Sequence, residues 1–159
     1  MRVGSADSKF HEQIFVVGVG NILLKDEGIG VHVIREMEKL DLPKNVRVID
    51  GGTAGFDLGY LIEGADRLIV IDAIDAGREP GAIFKFRPED IKAKPKRYFT
   101  SAHEVGLLEA LEMAKRMGKC PQTVIFGIQP KEIDWGMELS PELKAKITEI
   151  IELILKEIS

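Results

Sequence analysis

Three side chains have the types needed to act together on a metal: Glu27, Asp72 and His103. One imidazole nitrogen with two carboxylates is a mixed donor set that suits a borderline divalent transition ion and leaves coordination positions open. The separations, 45 residues from Glu27 to Asp72 and 31 from Asp72 to His103, form no local metal motif. The three can meet only if the fold carries separate segments to one edge. Each also has a plain structural reading: Glu27 as a charge favoured at a helix N-terminus, Asp72 as a turn cap, His103 as a hydrogen-bonded first-turn residue. A fourth acid, Asp50, ends another apolar run and would share the same rim.

The elements that must position them read as alternating β and α units. Ile14–Val19, Val46–Asp50, Leu68–Asp72 and Thr123–Ile128 are short apolar runs rich in β-branched residues, which predicts strands of a mostly parallel sheet. Ala82–Phe86 carries Lys85 inside it and reads as a half-exposed fourth strand, an antiparallel edge. Val31, Ile34, Met37 and Leu40 place an apolar stripe on a helix from about Gly28 to Pro43. Residues 51–55 (GGTAG) are glycine-rich and read as a tight turn, with Asp57 as N-cap of a short helix. Ser101 to Glu104 fits the S-x-x-E capping box ahead of an inward face at Val105, Leu108 and Leu111. Ser140-Pro141 opens one terminal helix running to Ile158. The predicted fold is α/β, a three-layer α/β/α sandwich with a twisted, mostly parallel sheet of about five strands. In such sheets ligands bind outside the carboxyl ends of the strands, where Glu27, Asp50, Asp72 and His103 would all lie.

Other chemistries fit poorly. Gly18-x-Gly20 after the first strand starts like a dinucleotide fingerprint, but position 23 is Leu instead of the third glycine, and the loop ends in Asp26 and Glu27, which would repel a pyrophosphate. His32 reads as a flank residue of the first helix, and His11 falls in the N-terminal stretch. Cys120 has no histidine beside it, no G-x-S-x-G elbow exists, and no H-E-x-x-H pair is present. Residues 92–97 carry four Lys or Arg and read as an exposed connection.

The chain has 159 residues, 45% hydrophobic and 30% charged, which predicts one compact domain over 14–159 with residues 1–13 as a mobile tail. Its formal charge of −4 offers no basic excess for nucleic acid. The single cysteine excludes an intramolecular disulfide, so a metal would be held mainly by Asp, Glu or His. The apolar runs are far shorter than the roughly 18 residues of a membrane span, and no signal peptide opens the chain, so the expectation is a cytoplasmic protein with no membrane insertion.

Four stretches then carry a resemblance: GVGNILLKDEGIGV at 18–31, DGGTAG at 50–55, IDA at 71–73 and SAHEVGL at 101–107. In this order they resemble the hydrogenase maturation proteases, endopeptidases that trim the C-terminus of the large subunit of nickel-iron hydrogenases. The likeness runs from about Ile14 to the terminal helix. It implies a twisted five-stranded sheet between helices, and nickel ligation by Glu27, Asp72 and His103, with Asp75 the neighbouring acid that could shift the register at Asp72. It further implies that nickel arrives with the precursor, as part of the substrate; carboxylate and imidazole ligands would also accept zinc or cadmium as surrogates. Asp50 is the expected helper carboxylate, and a monomer that releases its client is the expected state. The other readings are a nickel-sensing chaperone that holds the large subunit without cutting it, and a nucleotide-binding oxidoreductase.

Overall fold

The fold was obtained as a computed structural model that describes residues 12–52, 58–91 and 102–159, the side chains of 58, 91 and 102–106 excepted. Five strands, β1 (Ile14–Val19), β2 (Val46–Gly52), β3 (Arg67–Ala73), β4 (Ile83–Phe86) and β5 (Gln122–Ile128), form one sheet in the order β2-β1-β3-β5-β4. All neighbours are parallel except β4, which runs antiparallel to β5 at the edge. The central strands are covered on both faces, so every residue of β1 is buried, and β3 is buried from Leu68 onward.

Alternation along the strands sorts the core into two layers. On one face Val16, Ile69 and Ile71 pack with Ile34 and Met37 of α1 (Ile29–Met37) and with Ile150 and Ile154 of the last helix, α6 (Ile147–Ile158). On the other, Val17, Leu68 and Val70 pack with Leu107 and Leu111 of α4 (Ala102–Arg116). Helices α2 (Leu58–Leu61), α3 (Pro88–Ile91) and α5 (Pro141–Lys144) are single turns. Ile34, Ile150 and Ile154 are fully buried, each stabilising the fold by about 1.5–3 kcal/mol. No described helix is long and apolar enough to cross a membrane.

Several expectations are corrected. The first helix stops at Met37, so Leu40 lies beyond the inward stripe and is exposed. Gly51 and Gly52 belong to β2 and are not turn residues; β2 follows β1 to Val19 across an irregularity between Gly18 and Val19. The terminal helix is two helices, because the chain breaks at Ala145–Lys146. Glu12 and Gln13 are tied to the domain: Gln13 N donates to Asp66, and Asn45 donates to the Glu12 carbonyl. Ser101, Asp57, His11 and the basic cluster at 92–97 lie outside the described residues.

His32 stands at the flank of the α1 stripe, as its position predicts, with one ring nitrogen enclosed. It is half-buried, and its Nε2 is buried with no hydrogen-bond partner among the described residues. Burial pushes the imidazole below its ordinary range, and Arg35 adds to this, while Glu36 opposes it. The unfolded chain therefore takes up a proton more readily than the fold, so the stability carried by neutral His32 is present above the unfolded value of about 6.5 and is lost as pH falls below it. The melting midpoint should drop between pH 7.5 and 5.5 by less in His32→Leu than in the native chain; equal drops would show that His32 does not couple.

Candidate active site at the carboxyl edge of the sheet

Glu27 is placed by glycines. Between β1 and α1 the chain forms a 3-10 turn, Lys25–Gly28, that packs against β3. Gly20 has a φ of +131°, and a Cβ there would sit 1.9 Å from the Glu27 carbonyl oxygen. At Gly30 a Cβ would meet the carbonyl oxygens of Ile71 at 2.3 Å and Val19 at 2.7 Å. Gly20, second glycine of the fingerprint-like pair, thus lets the Glu27 turn fold back on the loop, and Gly30 lets the first turn of α1 approach the ends of β1 and β3 at the Val19 and Ile71 carbonyls. Gly30→Ala should cost about 1–3 kcal/mol of overpacking, lowering the melting midpoint by roughly 3–10 °C. A shift under about 1 °C would mean the turn can retreat freely.

Asp72 is 2% exposed and sits opposite Gly127 of β5. It lies two and four residues beyond Val70 and Leu68 and so shares their face, the one covered by α4. That helix leads through residues 117–121 into the start of β5, so it runs against the strand direction. Its 15 residues span about 22 Å, close to the length of the strands, which brings its first turn, with His103, to the edge where Asp72 is the penultimate residue of β3. The His103 imidazole is not among the described side chains, and among those described no three His, Cys, Asp or Glu side chains form a metal-binding group.

Asp75 is engaged elsewhere. It accepts hydrogen bonds from Gln129 Nε2 at 3.0 Å and from Gly77 N at 3.1 Å, which hold its carboxyl below the usual range. Asp50 is exposed and opposite Gly18, which in turn is opposite Ile71. Two strand spacings, about 10 Å, therefore separate it from the end of β3, and alternation puts it on the α1 and α6 face, away from Asp72. The structure does not bring Asp50 into the Asp72 site.

Two residues not singled out from the sequence organise this edge. Asp26 is completely buried. Its carboxylate accepts from the backbone N–H groups of Lys131 (2.9 Å), Glu132 (2.9 Å) and Ser140 (2.7 Å) and from the Ser140 hydroxyl (2.8 Å). Burial disfavours the charge most, but the hydrogen bonds together outweigh it and leave the pKa lowered. Ser140 thus gives its hydroxyl to Asp26 and makes no side-chain cap to α5. Gln129, also buried, accepts from Ala76 N at 2.8 Å and Arg78 N at 3.1 Å, holding the loop after β3. No local signal in the sequence marks either residue, because their partners lie more than fifty residues away.

The opposite end of the sheet carries different features. A cavity of about 580 Å³ lies where β3 and β5 begin, lined by Arg67, Arg87, Leu111 and Cys120 among others. Burial pushes the Cys120 thiol above its ordinary pKa, which makes it a poor nucleophile, as the sequence reading expected.

Comparison with known proteins adds the chemistry of relatives. The family model for hydrogenase maturation proteases matches residues 31–157. The hydrogenase expression/formation protein HupD of Bradyrhizobium diazoefficiens is 40% identical over 144 residues, covering 89% of this chain and 75% of the relative. Among solved structures, the hydrogenase maturating endopeptidase HybD from Escherichia coli superposes with a TM-score of 0.84 at 34% identity, covering 92% of this chain and 91% of its own. The NiFe hydrogenase maturation protease HybD from Thermococcus kodakarensis gives 0.77 at 32%, covering 92% and 99%.

Proposed function

Since the chain belongs to the hydrogenase maturation protease family and is a peptidase, we propose that it removes a C-terminal peptide from the nickel-loaded precursor of a nickel-iron hydrogenase large subunit. Nickel is part of the substrate in this reading. Glu27, Asp72 and His103 complete its coordination and so hold the scissile peptide in register, contributing orientation above all. The observation that carries it is the packing of the Glu27 turn against the end of β3, where Asp72 is buried and to which α4 leads with His103 in its first turn.

The donor set fits such a cargo. Two carboxylates and an imidazole suit a borderline divalent ion, and three ligands leave positions for groups the precursor brings. Hydrolysis adds water across one amide, giving a new C-terminal carboxylate and a released amine. What supports cutting over mere holding is the company of relatives named proteases and endopeptidases. The test is intact-mass analysis of a nickel-loaded large-subunit precursor before and after incubation with this protein. Loss of a C-terminal fragment is expected; an unchanged mass with both proteins folded would favour the non-cleaving chaperone.

A further inference from the structure

The loop after β5 presents an apolar ledge beside this edge. Ile133, Trp135 and Met137 are 54%, 77% and 61% exposed, and Leu23, on the loop that leads into the Glu27 turn, is 46% exposed. Backbone bonds join the two segments: Lys25 N donates to the Gly136 carbonyl at 2.8 Å, and Gly136 N donates to the Leu23 carbonyl at 2.9 Å. Leu24 and Gly136 pair in a parallel bridge, so Trp135 and Met137 flank the residue that faces the Glu27 loop. Asp26 N donates to the Glu132 carbonyl, and its carboxylate holds both ends of the loop. These side chains stand out on a framework fixed to the turn that carries Glu27. Free to collapse, a loop would fold such residues inward to remove them from water.

We propose that this ledge docks the precursor protein, with Trp135 seated in an apolar recess of its folded surface next to the peptide to be cut. This rests on the processing reading above. The partner's chemistry follows from the composition of the ledge. An aromatic anchor with aliphatic neighbours, edged by the paired charges Lys25–Glu132 and Lys131–Glu142, has the make-up of a protein–protein patch, with an apolar centre and a polar rim of mixed sign. Asp134 and Glu138 on the same loop and the net charge of −4 disfavour an anionic surface such as nucleic acid or an acidic membrane. A second copy of this chain seated here would cover the rim through which the precursor must enter.

The chain contains a single tryptophan, so 5-fluorotryptophan labelling gives one 19F resonance that reports Trp135 alone. Adding purified nickel-loaded precursor should shift or broaden that resonance, while raising the concentration of the labelled protein alone should not. In processing kinetics Trp135→Ala should lower kcat/KM by about tenfold or more, with the loss carried in KM, and Trp135→Phe should recover most of it. Because Trp135 is exposed, unchanged thermal melts of both variants will exclude a folding defect. Cleavage by the native chain with an unmoved resonance and an unchanged KM in Trp135→Ala would overturn the ledge and leave the processing reading standing. A moved resonance without cleavage would support the ledge and overturn the processing reading. A resonance that moves with this protein's own concentration would overturn the ledge in favour of self-association.

Discussion

Glu27→Gln should lower kcat/KM for precursor processing by about 100-fold or more while the melting midpoint stays within about 2 °C of the native chain. The change keeps the shape of the side chain and removes its charge, so it weakens an anionic ligand without opening space. Glu27 is half-buried on a turn whose backbone is held by the close approach at Gly20, and glutamine fills the same space. The loss falls on orientation: a scissile peptide held by two ligands in place of three samples positions an ångström from the productive one, and displacements of that size cost on the order of 100-fold. Asp72→Asn should behave alike in processing but less cleanly in stability, because Asp72 is buried. Processing by Glu27→Gln within about threefold of native would remove Glu27 from the ligand set.

Asp26→Ala should produce the opposite pattern, a large loss of stability with activity failing as a consequence. The substitution strips three backbone N–H groups and one hydroxyl of their acceptor; the two Ser140 donors are buried, and the Lys131 and Glu132 amides are part-buried. Each buried donor left unpaired costs about 1–3 kcal/mol. Relaxation of the loop will recover some of this, so about 4 kcal/mol is expected overall, a fall of roughly 8–16 °C in the melting midpoint at this chain length. Circular dichroism melts at neutral pH measure it directly. A fall under about 2 °C would show that the loop from Lys131 to Ser140 does not depend on Asp26, and would weaken the docking ledge with it.

Much of this architecture is legible in the sequence, for physical reasons visible in particular residues. Ile14–Val19 is apolar throughout because a central parallel strand is covered on both faces, and Lys85 marks β4 as the half-exposed antiparallel edge. The rim residues Glu27 and Asp72 follow from the rule that loops at strand carboxyl ends converge. What was not legible depends on contacts between segments far apart in the chain. Nothing local in Asp26-Glu27 says which acid turns inward to meet Ser140, more than a hundred residues away. Gly51 and Gly52 read as a turn by composition, yet pairing with β1 draws them into β2, a tertiary preference that overrides local propensity. Asp50 was grouped with the site because it ends a strand, and the strand order and alternation then separate it from Asp72.

The central claim, that Glu27, Asp72 and His103 read a nickel ion carried by the precursor, is tested most directly by measuring processing rates for one precursor in nickel-loaded, zinc-loaded and nickel-free forms. Intact mass against time gives each rate. The account predicts rapid loss of the C-terminal peptide from the nickel-loaded form, reduced loss with zinc, and none from the metal-free form. Equal rates for loaded and metal-free precursor would contradict it, and would assign recognition to the protein surfaces alone.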